Sequence, residues 1–560
     1  LYGSLEVTEG QAHFAHLPTL NLDCDALYLE ELAASDLNPQ RLFTSTRCRQ
    51  RLEDNGAQDR SWSGVHEHFP IMRPLLYFFL SVLSSVFAAE KPNIILINID
   101  DLGYADIGPF GGKVPTPHLE RMAKEGMKLT SHYAAPVCSP SRAAMMTGCY
   151  PKRVLPIPGV LFPAAAVGLN PAEVTVAEVM KASGYATTCI GKWHLGDQPE
   201  FLPTAQGFDS YFGIPYSNDM GLAAEGSKSN PGDPIRQAKG KGKSAGAKAE
   251  TGLGGAAQPP LPLIDGNNVV ERVKAAQQHT FIRRYTERAV TYIREHREGP
   301  FFLYLPHNAV HFPHYPHQDF MGKSGISLQK DWALEVDWSV GQILDTLREL
   351  KLDSNTMVVF TSDNGGPLNQ GADNTPLRGS KGSTLEGGIR VCTMAWWPGT
   401  IAAGSSTAAI TSHMDWLPTF AALGGSEPPK GATTNKIDGM DLSLVLLGKA
   451  ADFKPREVFY YYSGFNLQAV RSGPWKLHLD KAELYNLESD IGEARDVAKQ
   501  QPEQVAKLRA LAETMKADLG DKTKDFPGVR QLGRVQNPQP LIDHDGKVRA
   551  GFDGVAKVLR

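Results

Sequence analysis

From Ile94 to Ile99 the chain is apolar at every position except Asn98, and the run ends on Asp100 and Asp101. So short and continuous an apolar stretch predicts a strand buried on both faces, as found inside parallel sheets. The period then changes. In TPHLERMAKEG, Leu119, Met122 and Ala123 share one face of a helix, with Thr116 as N-cap, Pro117 at the first position and Gly126 at the end. The alternation recurs: a helix over 176–183 closes at Gly184 and leads into the strand ATTCI and the polar loop GKWHLG. Further on, the strand FFLYL precedes PHNAVHFPH, and the strand MVVFT precedes SDNGG. Between those two strands, Val336, Val340, Ile343 and Leu347 fall at helical spacing. Strands alternating with helices in this way predict an α/β fold.

In each unit the residues able to do chemistry directly follow the strand. Open α/β sheets bind ligands beyond the carboxyl ends of their strands, so these loops, remote in sequence, are expected to share one site. Two stretches differ in kind. Residues 224–262 are rich in Gly, Ala and Lys and predict a mobile insertion in the 90–455 domain, with Lys228, Arg236, Lys239, Lys241, Lys243 and Lys248 free to gather polyanions. Residues 456–560 carry short β-like runs broken by turns and a helix near Pro502 to Met515, which predicts a small α+β C-terminal domain and tail.

Composition narrows the function. The chain has 560 residues and is 41% hydrophobic, enough for one large core and a second domain. Its 57 Lys and Arg nearly balance 61 Asp and Glu, so no nucleic-acid partner is expected and any anion site must be local. In MRPLLYFFLSVLSSVFAAE, Arg73 is a basic n-region, Leu75 to Phe87 an apolar h-region and Val86-Phe87-Ala88 a cleavage pattern, so residues 72–89 read as a secretory signal peptide. About 13 apolar residues are short for a membrane span, and no stable membrane anchor is expected, an uncut signal anchor being the alternative. No methionine precedes Met72, and residues 1–71 are read as an upstream extension outside the mature protein. The expected location is therefore the periplasm or the extracellular space. Four cysteines remain in the mature chain, Cys138, Cys149, Cys189 and Cys392, too few for a disulfide framework.

Cys138 stands out because Ser139 and Pro140 follow it as an N-cap and a first helical residue, which would put the thiol at the positive end of a helix running to Gly148. An anion would be stabilised there; the plain reading is a small buried hydrophobe. Asp100, Asp101, Asp363 and Asn364 end two buried strands and are hard oxygen donors, suited to Ca²⁺ or Mg²⁺.

The run Cys138-Ser139-Pro140-Ser141-Arg142, followed by Met146-Thr147-Gly148, closely resembles the signature of the type I sulfatases. PNIILINIDDLGYADIG, GKWHLG, TSDNGG and LRGSKGSTLEGGIRV resemble further motifs of that family in its order, and GIPYSNDMG and FFLYLPHNAVHFPHYP look most like its arylsulfatase A branch. The resemblance implies an alkaline phosphatase-like sulfatase fold, a large mixed and mostly parallel sheet flanked by helices, with a smaller C-terminal α+β domain. It implies that a formylglycine-generating maturation enzyme converts Cys138 to Cα-formylglycine, whose hydrate attacks sulfur in line, and that Asp100, Asp101, residue 138, Asp363 and Asn364 hold the metal, which lowers the hydroxyl's pKa. It further implies that Lys192 and Lys381 clamp the sulfate, Arg142 orients the nucleophile, His311 protonates the leaving alcohol with help from Lys381, and His194 deprotonates the second hydroxyl to expel sulfate. His307 and His314, flanking His311, are read as rim residues, and Ser217 as a turn residue that can touch the substrate. The substrate implied is a sulfate monoester, of an aryl alcohol or a carbohydrate. A phosphoester or phosphonate monoester hydrolase on the same scaffold is the alternative; a non-catalytic binder of sulfated glycans would have no need of a nucleophile.

Overall fold

The computed structural model describes residues 91–236, 250–427 and 436–554. The expected upstream extension, the signal peptide and the lysines from 239 to 248 lie outside the described residues. The main sheet has ten strands: β1 (Asn93–Ile99), β2 (Met127–Leu129), β3 (Ala186–Ile190), β4 (Ser210–Gly213), β5 (Leu261–Asp265), β6 (Asn268–Val273), β7 (Phe301–Pro306), β8 (Thr356–Ser362), β9 (Met394–Trp396) and β10 (Ser405–Thr407). Their order is β10-β2-β9-β8-β1-β7-β3-β4-β5-β6. The five in the middle, β8 to β4, run parallel, and the pairs flanking them, β8 with β9 and β4 with β5, are antiparallel. Continuous apolar runs mark β1, β7 and β8 at the centre of the sheet, because both of their faces are covered.

The helices that cover them are α1 (Pro117–Glu125), α2 (Cys138–Thr147), α3 (Val176–Ala182), α4 (Phe281–Glu295), α5 (Leu328–Glu349) and α6 (Trp416–Leu423). Alternate residues of β1 sort into two cores. Ile94 and Leu96 pack with α2, α3 and α6; Ile95, Ile97 and Ile99 pack with α1, α4 and α5. Val336, Val340, Ile343 and Leu347, the helical stripe read from the sequence, are fully buried in the second core. A third core joins a four-stranded antiparallel sheet, β11 (Val458–Ser463), β12 (Asn466–Ser472), β13 (Trp475–His478) and β14 (Glu483–Asn486), to α7 (Pro502–Leu519). Tyr133 and Ala144 of the main domain belong to that same core.

Helix starts differ in detail from the sequence reading. Helix α2 begins at Cys138 with Val137 as N-cap, so neither Ser139 nor Pro140 holds the position expected of it. The Ser139 hydroxyl instead accepts from the Leu161 N–H at 3.1 Å. Proline is tolerated throughout a first turn, whose N–H groups have no helical acceptor, so Pro140 sits comfortably two positions further in than expected. Thr116 likewise precedes α1 without capping it, because its hydroxyl accepts from Gly108 N–H at 2.9 Å. In the stretch read as a mobile insertion, the described flanks are built into the fold. Short 3₁₀ turns form at Ala223–Glu225 and Gly255–Ala257, and Lys228 donates its ammonium to the Asp219 carbonyl.

Candidate active site

Strand β1 delivers Asp100 and Asp101, β3 leads to Lys192 and His194, β7 to His311, and β8 to Asp363 and Asn364, all at carboxyl ends. Close approach is what brings them together. Gly191, at φ +134°, would carry a Cβ only 1.9 Å from the Pro306 carbonyl oxygen, and Lys192 N–H donates to that same oxygen at 2.7 Å. A Cβ on Gly365 would lie 1.9 Å from the Gly387 oxygen, in the loop that carries Lys381. Two non-glycine residues of the site, Asp101 at φ 62° and His194 at φ 65°, adopt the left-handed conformation, a strain of about 1–3 kcal/mol each that tends to mark functional positions.

The Cys138 sulfur lies 3.3 Å from Asp100 Oδ1 and 3.7 Å from Lys381 Nζ. Ligand atoms of Asp100, Asp101, Cys138 and His311 all fall within 4.8 Å of one another. Lys192 contacts Asp100, and Lys381 contacts Asp101 Oδ1 at 2.7 Å. Arg142, fully buried, donates through Nε and Nη2 to Asp363 Oδ2 at 3.0 and 2.8 Å and through Nη1 to the Lys192 carbonyl at 2.5 Å, tying α2 to both neighbouring loops. Asn364 gives Nδ2 to Asp101 at 2.7 Å, while its buried Oδ1 has no partner.

Charge in this closed space is strongly redistributed. Burial pushes the Cys138 thiol well up, and the Asp100 and Asp363 carboxylates push it further, so the sulfur stays protonated and is a poor nucleophile. Burial also raises Asp363, to about 7, with repulsion from Asp100 adding to it. Burial works the same way on Asp100, but Lys192, His311, Arg142 and Lys381 outweigh it and hold that carboxyl well below its ordinary range. Burial opposes the charge on Lys381, yet Asp101, Cys138 and Asp100 raise its pKa well above normal.

The two histidines are set up differently. His194 Nε2 faces the Leu161 carbonyl at 2.8 Å and donates to it, which leaves Nδ1, buried and unpartnered, with its lone pair free. Burial, then Lys192 and Arg142, keep this ring neutral. His311 donates Nδ1–H to the Phe312 carbonyl at 2.6 Å and has Ser217 Oγ at 3.3 Å, so its Nε2 turns toward Asp101 Oδ2, 3.6 Å away. Its side chain is 12% exposed, which gives it an opening to the outside. Burial and Lys381 lower its pKa.

His307 and His314, read as rim residues, are instead buried at 0% and 5% exposure. His307 Nε2 meets Ser339 Oγ of α5 at 3.2 Å, and burial depresses the two rings to about 3 and about 4. Unmarked in the sequence reading is Glu386, inside the motif that supplied Lys381, which proves to be a fully buried hub of hydrogen bonds to the C-terminal sheet. Apart from Arg390, four residues on, its partners are remote: Tyr461 and Lys476 of the C-terminal sheet lie 75 and 90 residues away, and Tyr133 lies 253 away.

Comparison with known proteins falls on this same architecture. The sulfatase family model matches residues 92–426. Arylsulfatase A of Bos taurus is 38% identical over 425 residues, covering 73% of this chain and 78% of that protein. N-acetylgalactosamine-6-sulfatase of Canis lupus familiaris is 36% identical over 419 residues, 72% of this chain and 75% of that protein. Among solved structures, Ps i-CgsB in complex with k-i-k-neocarrahexaose superposes with a TM-score of 0.65 at 29% identity, over 78% of this chain and 95% of that one. These likenesses favour sulfuric over phosphoric esters. Since the family match spans the whole main sheet and every loop that feeds the cluster, the chain belongs to the sulfatases and is a hydrolase of sulfuric esters.

Proposed function

We propose that the chain hydrolyses sulfate monoesters through a Cα-formylglycine made from Cys138, at a centre that also holds a divalent cation. The observation that carries this reading is the setting of the Cys138 sulfur: at the first position of α2, between Asp100 and Lys381, and kept as a thiol by its surroundings. A protonated buried thiol does no chemistry itself and makes sense as a precursor. The aldehyde hydrate supplies a pair of hydroxyls, one to attack sulfur and one to be deprotonated when sulfate leaves.

The residues present fit a hard cation. Two aspartates, the unpartnered Asn364 Oδ1 and Asp363 offer oxygen donors, and two lysine ammonium groups already lean on the aspartates. Asp100, Asp101, Asp363, Asn364 and residue 138 would hold Ca²⁺ or Mg²⁺, which supplies positive charge and acidifies a neighbouring hydroxyl. Lys192 and Lys381 bind the sulfate oxygens and offset the charge that develops on them. Arg142 fixes the helix that presents residue 138. His311, the histidine with an exposed edge, protonates the leaving alcohol from Nε2, with Lys381 assisting. His194 takes the second hydroxyl's proton on its free Nδ1.

Among the described residues no helix is long and apolar enough to cross a membrane. Export to the periplasm or beyond, directed by residues 72–89, and maturation by a formylglycine-generating enzyme belong to the same proposal. The relative named for N-acetylgalactosamine 6-sulfate and the oligosaccharide-bound structure favour a sulfated carbohydrate as substrate, with aryl sulfates as reporters. The test joins two measurements. The peptide containing residue 138 is expected to be lighter than its thiol form by about 18 Da, and the exported protein to cleave an aryl sulfate much faster than the matching aryl phosphate. An active enzyme with an intact thiol would overturn the mechanism, and faster phosphate cleavage would overturn the substrate.

A further inference from the structure

Lys476, on β13 of the C-terminal sheet, is fully buried and meets three partners. It donates to the Thr384 carbonyl at 2.8 Å and to Glu386 Oε1 at 2.8 Å, and it pairs with Glu493 Oε1 at 3.0 Å. Glu493 in turn accepts the Glu386 backbone N–H at 2.7 Å, and Thr384 Oγ1 donates to Gln468 of β12 at 2.9 Å. The contacts to Thr384 and Glu386 seize the chain three and five residues beyond Lys381. On the near side, Gly382 N–H donates to the Pro136 carbonyl at 2.8 Å, two residues before Cys138. The loop is thus pinned to the segment leading into Cys138 at one end and to the C-terminal sheet at the other. Buried ion pairs add little net stability compared with apolar packing, but they hold one geometry where apolar side chains would slide.

We infer that Lys476 is a positioning residue for sulfate binding: through Thr384 and Glu386 it sets the loop that aims Lys381 at the sulfate, so the C-terminal sheet is a working part of the active site. This rests on the proposed contact of Lys381 with the sulfate. The test is a mutant cycle in the mature, exported enzyme. Lys476→Met is combined with Glu493→Gln, so that no buried charge is left unbalanced, and crossed with Lys381→Ala. Aryl sulfate turnover, inhibition by inorganic sulfate and thermal unfolding are measured throughout.

A displacement of Lys381 of about 1 Å is expected to cost kcat/KM about 100-fold and to weaken sulfate inhibition in parallel. Added to Lys381→Ala, the pair is expected to cause almost no further loss, because its effect runs through that side chain. Losses that multiply would overturn the inference and leave the role of Lys381 standing. Unimpaired turnover and sulfate inhibition in Lys381→Ala would overturn both. Should the Met/Gln pair not fold, Thr384→Val cuts only the strap to Gln468, and about a threefold loss that vanishes in the Lys381→Ala background is expected; losses that multiply there count against the inference equally.

Discussion

The sulfur of Cys138 makes one hydrogen-bond contact of ordinary length, to Asp100, and otherwise fills a small volume at the start of α2. Cys138→Ala is therefore expected to abolish turnover while shifting stability by only about 1 kcal/mol, read as a nearly unchanged melting temperature. With His311 as the proposed general acid, its titration sets the pH dependence. Burial and Lys381 lower its pKa below 6.5, so the proton it must donate is lost as pH rises through that depressed value. The kcat/KM on an aryl sulfate is expected to be highest on the acid side and to fall toward neutrality. His311→Ala should cost about 10²–10⁴-fold and remove this descending limb. A flat profile up to pH 8 would exclude His311 as the acid.

Two substitutions probe how strands and loops are joined. Gly191→Ala puts a methyl group against the Pro306 carbonyl and forces an alanine into a left-handed φ, so a loss of about 2–3 kcal/mol is expected in denaturant unfolding. Lys192, next in the chain, would shift with it. Asp363→Ala strips Arg142 of its closest anionic partner and leaves the guanidinium buried with Asp100 at 3.8 Å, so a loss of about 3–5 kcal/mol is expected along with loss of activity. The buried strands are legible because a short apolar run with no polar face can rest only where both sides are covered. The strand-end loops are legible because open α/β sheets bind their ligands beyond the carboxyl ends of such strands. The start of α2 is not, since Pro140 is equally at home at the first or the third helical position. His307 and His314 read as rim residues because neighbouring histidines of one loop carry no mark of which way each ring faces. The Glu386 hub is illegible on different grounds: its significance depends on which strand of the C-terminal sheet comes to rest on it.

Across the whole molecule, the cluster joins residues that the chain holds far apart. Lys381 and Asp101 are separated by 280 positions, Asn364 and Asp101 by 263, and Lys381 and Cys138 by 243. Nothing local assembles them, so they meet only when the parallel strands have found their order. By then Cys138 is 1% exposed. An enzyme that oxidises this thiol must reach it before that happens. Folded protein carrying the thiol is expected to resist maturation, while an unfolded chain or a peptide spanning 135–148 is oxidised, a contrast that peptide mass measures directly. Under the proposed mechanism that burial also sets a deadline: a chain that folds before its thiol is oxidised is expected to stay intact, well packed and inactive.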